Sequence, residues 1–257
     1  MNTVFAIFAF LFGAAVGSFL NVIMYRLPLG RSIVKPRSFC PHCKKTITAF
    51  ENIPIISYIV LRGRCSGCKT PISLHYPAIE LITGALFVYF YVRYNISLEF
   101  FAYSAFSCAL IVISGIDFSF QIIPDIISIP GIFAGLVFQL AQGNFLPGLI
   151  GAIFGGGLIL LIRIVGGKVY RKEVMGMGDV YLTAMIGAFV GWPLIIVAVF
   201  LAALIGSILG IIFIASTHQS RESPIPFGPF LSLGGIAVII FYPLIIKFFA
   251  ILGVFLR

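Results

Sequence analysis

The sequence predicts an all-α polytopic membrane protein of about eight transmembrane helices, with a small zinc-stabilised cytoplasmic segment between the first two. Three observations carry that prediction. The chain has 257 residues, of which 60% are hydrophobic and 10% charged, and a mean hydropathy of +1.13. A soluble domain of this size cannot hide so much apolar surface. Apolar runs near the roughly 20 residues needed to cross about 30 Å of hydrocarbon recur along nearly the whole chain. The exception is one polar stretch that holds four of the five cysteines.

The candidate spans lie near 4–24, 77–95, 99–116, 122–141, 146–165, 180–197, 198–216 and 229–250. The sixth and seventh run almost together, and Gly191-Trp192-Pro193 is the expected break between them, because glycine and proline punctuate helices. Fusing the two would give seven spans. Three parts follow: residues 1–24 as a first transmembrane helix, 25–76 as a cytoplasmic zinc-binding segment, and 77–257 as a transmembrane core. The sequence shows no internal repeat and no low-complexity tract.

Charge placement orients the helices. The net charge of +9 reads as loop-borne Lys and Arg of a membrane protein and not as a nucleic-acid surface. With the N-terminus outside, residues 25–76 are cytoplasmic and hold Arg26, Arg31, Lys35, Arg37, Lys44, Lys45, Arg62, Arg64 and Lys69. Arg163, Lys168, Arg171, Lys172 and Arg221 join them, which leaves only Arg93, Lys247 and Arg257 outside. The start resembles a signal peptide, but Met1-Asn2-Thr3 carries no base and the bases follow the apolar run. That suits an uncleaved first span.

The polar stretch reads CPHC at 40–43 and CSGC at 65–68. Two Cys-x-x-Cys pairs at this separation let Cys40, Cys43, Cys65 and Cys68 close a tetrahedron around zinc. A pair of disulfides is the alternative, and it requires an oxidising compartment; the basic, reducing side favours the metal. Four protein ligands leave no open position, so the ion would be a folding staple for a segment with little core of its own. His42 reads as an exposed loop residue, and Cys108, inside a span, as packing.

Only eight acids occur, and Glu80, Asp117, Asp125 and Asp179 fall at or within spans, where a charge costs about 2.5–3.5 kcal/mol on insertion scales. Asp117 ends the third span and Asp179 opens the sixth, both at the cytoplasmic border. Two carboxyls in contact share one proton. The ionised partner can take a proton from water while the protonated one polarises a peptide carbonyl. Gly176 and Gly178 would let the backbone near Asp179 approach a substrate or a helix. Helix capping by Asp125 and Asp179 is a competing reading, and a proton or cation pathway is another. The histidines, His42, His75 and His218, all lie in polar segments, so no Ser/His/Asp arrangement competes.

These motifs resemble, in order, those of the bacterial type IV prepilin peptidases, a family of GxGD intramembrane aspartyl proteases. The stretches are GSFLNVIMYRLP at 17–28, IPIISYIVLRGRC at 53–65 between the cysteine pairs, YPAIELITG at 76–84, GIDFSFQIIPD at 115–125, GMGDV at 176–180 and PFGPFLSLGG at 226–235. The resemblance implies cleavage of basic leaders from prepilins and pseudopilins at the cytoplasmic face of the bacterial inner membrane. It places the catalytic aspartates at Asp117 and Asp179, with Asp125 supporting. It also implies a second activity, N-methylation of the new N-terminus with S-adenosylmethionine, with Gly17, Asn21, Arg26 and Glu80 as contributors. Tyr181 stands where relatives commonly have lysine, and Ile123 where they have leucine; neither removes a carboxylate. Expected partners are prepilin or pseudopilin substrates and the lipid bilayer, with no nucleic acid. A peptidase without methyl transfer, a proton- or cation-coupled transporter, and a structural assembly component with a metal-bound loop are the rival readings.

Overall fold

A computed structural model describes residues 3–217 and 226–251, with side chains described outside 213–217 and 250–251. Among these residues the chain is all helical: α1 (Thr3–Arg26), α2 (Ile56–Val60), α3 (His75–Tyr94), α4 (Leu98–Phe120), α5 (Asp125–Ala141), α6 (Phe145–Tyr170), α7 (Met177–Val190), α8 (Leu194–Thr217) and α9 (Gly228–Ile251). Five of them, α1, α4, α6, α8 and α9, are long and apolar enough to cross a membrane, and α5 and α7 are shorter apolar helices. The protein is an all-α polytopic membrane protein. The expected positions of His218, Arg221 and Arg257 lie outside the described residues.

Helix ends follow local chemistry and differ from the expected ones by a few residues. The break between α7 and α8 falls at Gly191-Trp192-Pro193, where Gly191 takes φ +75°. That stops α7 at Val190, seven residues short of the limit expected from hydropathy, since the apolar run continues through the break. At 14 residues α7 rises only about 21 Å.

Two compact units emerge, Met1–Val112 and Ile113–Arg257, with the boundary inside α4. In the first, α1 and α3 pack antiparallel through small residues. A Cβ on Gly17 would stand 2.8 Å from Glu80 Cα, and one on Gly13 would stand 2.8 Å from Phe87 Cβ. Without water to squeeze out, helices in lipid associate by such close backbone approach. Phe87, Phe90 and Tyr91 fill the rest of this core.

The second unit is organised around α7, which is buried along most of its length. Gly151 of α6 meets Gly187 of α7 backbone to backbone, and Gly155 lies over the Thr183 carbonyl, so this pair is antiparallel. Gly131 and Gly135 of α5 face Met185 and Ala188 in the same chain direction. That parallel seam puts the start of α5 at the same end as the start of α7. Gln139 donates its amide to the Phe189 carbonyl at 2.8 Å across the seam.

Candidate functional site

In the second unit two of the chain's three aspartates are buried together. Asp117 lies in the last turn of α4 and Asp179 in the first turn of α7, and they are 5% and 8% exposed. One oxygen of each is oriented by a backbone amide. Gly228 N–H donates to Asp117 Oδ2 at 2.9 Å, and Gly176 N–H donates to Asp179 Oδ2 at 3.1 Å. The second bond is the reach-back of an N3 acid to the N-cap amide; Gly176 is the N-cap residue, so Asp179 supports the helix start from N3 and not as the N-cap expected from the sequence.

Ile123 shows how the two carboxyls come to share a neighbourhood. Its side chain lies 2.6 Å from where a Cβ on Gly178 would be, and 3.2 Å from where one on Gly228 would be. The link between α4 and α5 therefore wedges against the residue before Asp179 and against the residue that holds Asp117. Asp125, at the first position of α5, stays exposed and outside this buried cluster. Gly228 was not foreseen as a site residue, although its motif was quoted.

In the first unit the four cysteines converge. All four sulfurs lie within 4.8 Å of one another, with Cys40 and Cys68 at 3.8 Å and Cys43 and Cys65 at 3.9 Å. They are free thiols. A tetrahedron of sulfurs about 2.3 Å from a central zinc has edges of about 3.8 Å, so the set suits a tetrahedral ion. The thiols come from two knuckles built alike. Cys40 N–H donates to Lys45 O and Lys44 N–H to Cys40 O, and Cys65 N–H to Thr70 O and Lys69 N–H to Cys65 O. Lys44 and Lys69 both take φ +60°. The sequence carries the same repeat, Cys-x-x-Cys-Lys-x-x-Ile at 40–47 and 65–72, so the expectation of no internal repeat is corrected here. The Thr70 hydroxyl and amide pull the Cys68 thiol down to about 6. A bond from the Lys45 ammonium draws Glu51 down to about 2 and ties the first knuckle to the following turn. His42 is exposed and outside the cluster.

The α1–α3 seam gathers the remaining expected residues. Asn21 donates to Gly17 O and to Tyr76 O, each at 3.2 Å, and its Oδ1 is buried with no partner. Glu80 is buried and its Oε2 accepts from Ile55 N–H at 2.7 Å. Gly17, Asn21 and Glu80 thus meet on one face. Arg26 is also buried, but its guanidinium turns to the Ser32 carbonyl at 3.0 Å.

A helical membrane protein with a buried aspartate pair and a four-cysteine cluster is the class these features define. Comparison with known proteins narrows it. Residues 11–94 match the Bacterial Peptidase A24 N-terminal domain, and residues 104–211 match the Type IV leader peptidase family. The chain is 40% identical to a prepilin leader peptidase/N-methyltransferase of Myxococcus xanthus (strain DK1622), over 84% of this chain and 65% of that one. It is 34% identical to one of Aeromonas hydrophila, over 88% and 87%, and 36% identical to one of Burkholderia pseudomallei (strain 1026b), over 91% and 84%. No solved structure gives a significant match. The chain belongs to the type IV prepilin leader peptidase/N-methyltransferase family.

Proposed function

We propose that the protein is an aspartic endopeptidase that removes the basic leader of type IV prepilins or pseudopilins, with Asp117 and Asp179 as a catalytic dyad. The observation that carries this is the burial of two carboxyls at converging helix ends, each with one oxygen fixed by a backbone amide. Such a pair holds one proton in common. The ionised member removes a proton from water as the oxygen attacks the scissile carbonyl, and the protonated member donates to that carbonyl oxygen. The proton then passes to the departing amine. Asp125 supports from the same helix end. A substrate whose apolar helix stays in lipid would bring its cleavage site to this border if the orientation is the one the charges favour, with the dyad and cysteines facing the cytoplasm of an inner membrane. The helices α1 and α3–α9, the shorter α5 and α7 included, would then be eight crossings, and residues 1–24, 25–76 and 77–257 the anchor, metal segment and peptidase core.

The second activity in this reading is N-methylation of the new amine. The acceptor set fits a cationic methyl donor: Asn21 Oδ1 lacks a partner and Glu80 supplies a buried carboxylate from the same α1–α3 seam. S-adenosylmethionine supplies an electrophilic methyl group when bound, and Glu80 is the residue here able to hold a proton. Gly17 and Arg26 frame the seam. Zinc in the cysteine cluster would be structural, holding the two knuckles together. The twin knuckles favour this reading over a transporter, which has no need of them.

The test is leader cleavage by purified full-length protein. Asp117→Asn and Asp179→Asn should each lower cleavage by at least about 100-fold while the protein still inserts and elutes normally. Undiminished cutting by either variant removes the dyad.

A further inference from the structure

The segment between α1 and α3 wears its apolar side chains on the outside. Ile56, Ile59 and Val60 stand at positions i, i+3 and i+4 of α2 and so share one face; they are 54%, 68% and 72% exposed. Phe50, in the turn packed on α2, is 84% exposed. The same helix turns Tyr58 inward, where its hydroxyl donates to the Ile72 carbonyl. That pattern is the reverse of a helix lying on water.

The ridge is held at a definite height. Ile55, immediately before α2, takes φ +64° and gives its N–H to Glu80, in the second turn of α3. That same turn packs on α1 near Gly17, where α1 is still apolar and about two and a half turns from its end at Arg26. The ridge therefore lies level with the last apolar turns of a membrane-crossing helix. The exposed arginines Arg62 and Arg64 follow it directly.

We propose that the face formed by Ile56, Ile59, Val60 and Phe50 is an interfacial anchor, seated at the boundary between lipid headgroups and acyl chains. Arg62 and Arg64 meet the lipid phosphates at its rim. A short helix with an apolar face and flanking cations has this preference. The anchor fixes the cysteine knuckles against the bilayer surface, and it is independent of the peptidase reading.

The chain has one tryptophan, which makes the test clean. In full-length protein carrying Trp192→Phe, Ile59→Trp becomes the sole emitter, and Ile56→Trp is a second, separate reporter. In nanodiscs containing anionic lipid we expect blue-shifted emission, quenched roughly two-fold or more by lipids brominated close to the headgroup, with little effect of aqueous iodide. Water-like emission open to iodide and untouched by brominated lipid, in whichever reporter elutes as folded protein, overturns the proposal. Emission that turns blue only when a prepilin is added assigns the face to the substrate helix and overturns it equally.

Discussion

Gly228 shows what a single hydrogen atom in place of a side chain does at the buried acids. Its φ is not in the left-handed region, so its importance is steric and not conformational. A Cβ there would stand 2.6 Å from Asp117 Oδ2 and 3.2 Å from Ile123 Cδ1. The carboxyl would have to swing away from the amide that orients it. Gly228→Ala should therefore lower kcat for leader cleavage about 10- to 100-fold, with KM nearly unchanged, because a shift near 1 Å at reacting groups costs about that much. A variant cutting at the parental rate would show that the amide does not position the dyad. The PFGPF motif was legible in the sequence, but its role was not, since its partner lies 111 residues away. Ile123 is a similar case. In the sequence it is a mild substitution, whereas in the fold it is the wedge between the two acid-bearing segments.

The same glycines acquire different meanings once helices are paired. The run Gly155-Gly156-Gly157 reads uniformly, yet Gly155 lies in the α6–α7 seam over the Thr183 carbonyl, while a Cβ on Gly157 would meet nothing within 4 Å. Gly187 is tighter still, backbone to backbone with Gly151. Overpacking a filled contact costs about 1–3 kcal/mol and occasionally more. Gly187→Leu should therefore lower the thermal midpoint in detergent by several degrees or prevent accumulation, whereas Gly157→Leu should leave the midpoint within error. Equal midpoints for both variants would mean that α6 and α7 do not pack through this seam. Helix existence was legible because apolar runs near spanning length have few alternatives. Which face of each helix turns inward was not, because a span that is apolar all round carries no periodic signal. The break at Gly191-Trp192-Pro193 was legible from its glycine and proline, and only the span limit drawn from hydropathy at 197 ran past it.

At the scale of the whole molecule, the two sets of polar groups belong to different compact units. Asp117 and Asp179 lie in Ile113–Arg257, and Asn21, Glu80 and the cysteines lie in Met1–Val112. The acids and the cysteine set were legible as residue types in unusual places; their distribution between units was not, since it depends on which helices pack. If the proposed reactions use these separate sets, single substitutions should divide them. Methyl transfer forms a bond to an amine nitrogen that exists only after the leader is cut, so the two reactions must be assayed on different substrates. On intact prepilin, Glu80→Gln should cleave within about two-fold of the parent, because the proposed reading gives Glu80 no part in peptide hydrolysis. On pilin already cleaved but unmethylated, the same variant should lose about 100-fold or more in methyl transfer, in the range for removing a positioned proton acceptor. Asp179→Asn should do the opposite, failing on prepilin and methylating the cleaved pilin at the parental rate. Asn21→Ala should raise the concentration of S-adenosylmethionine needed for half-maximal methylation, since it removes a buried acceptor that now lacks a partner. Loss of cleavage by Glu80→Gln in proportion to its loss of methylation would mean that the two units serve one site, and the assignment of separate residue sets would fall.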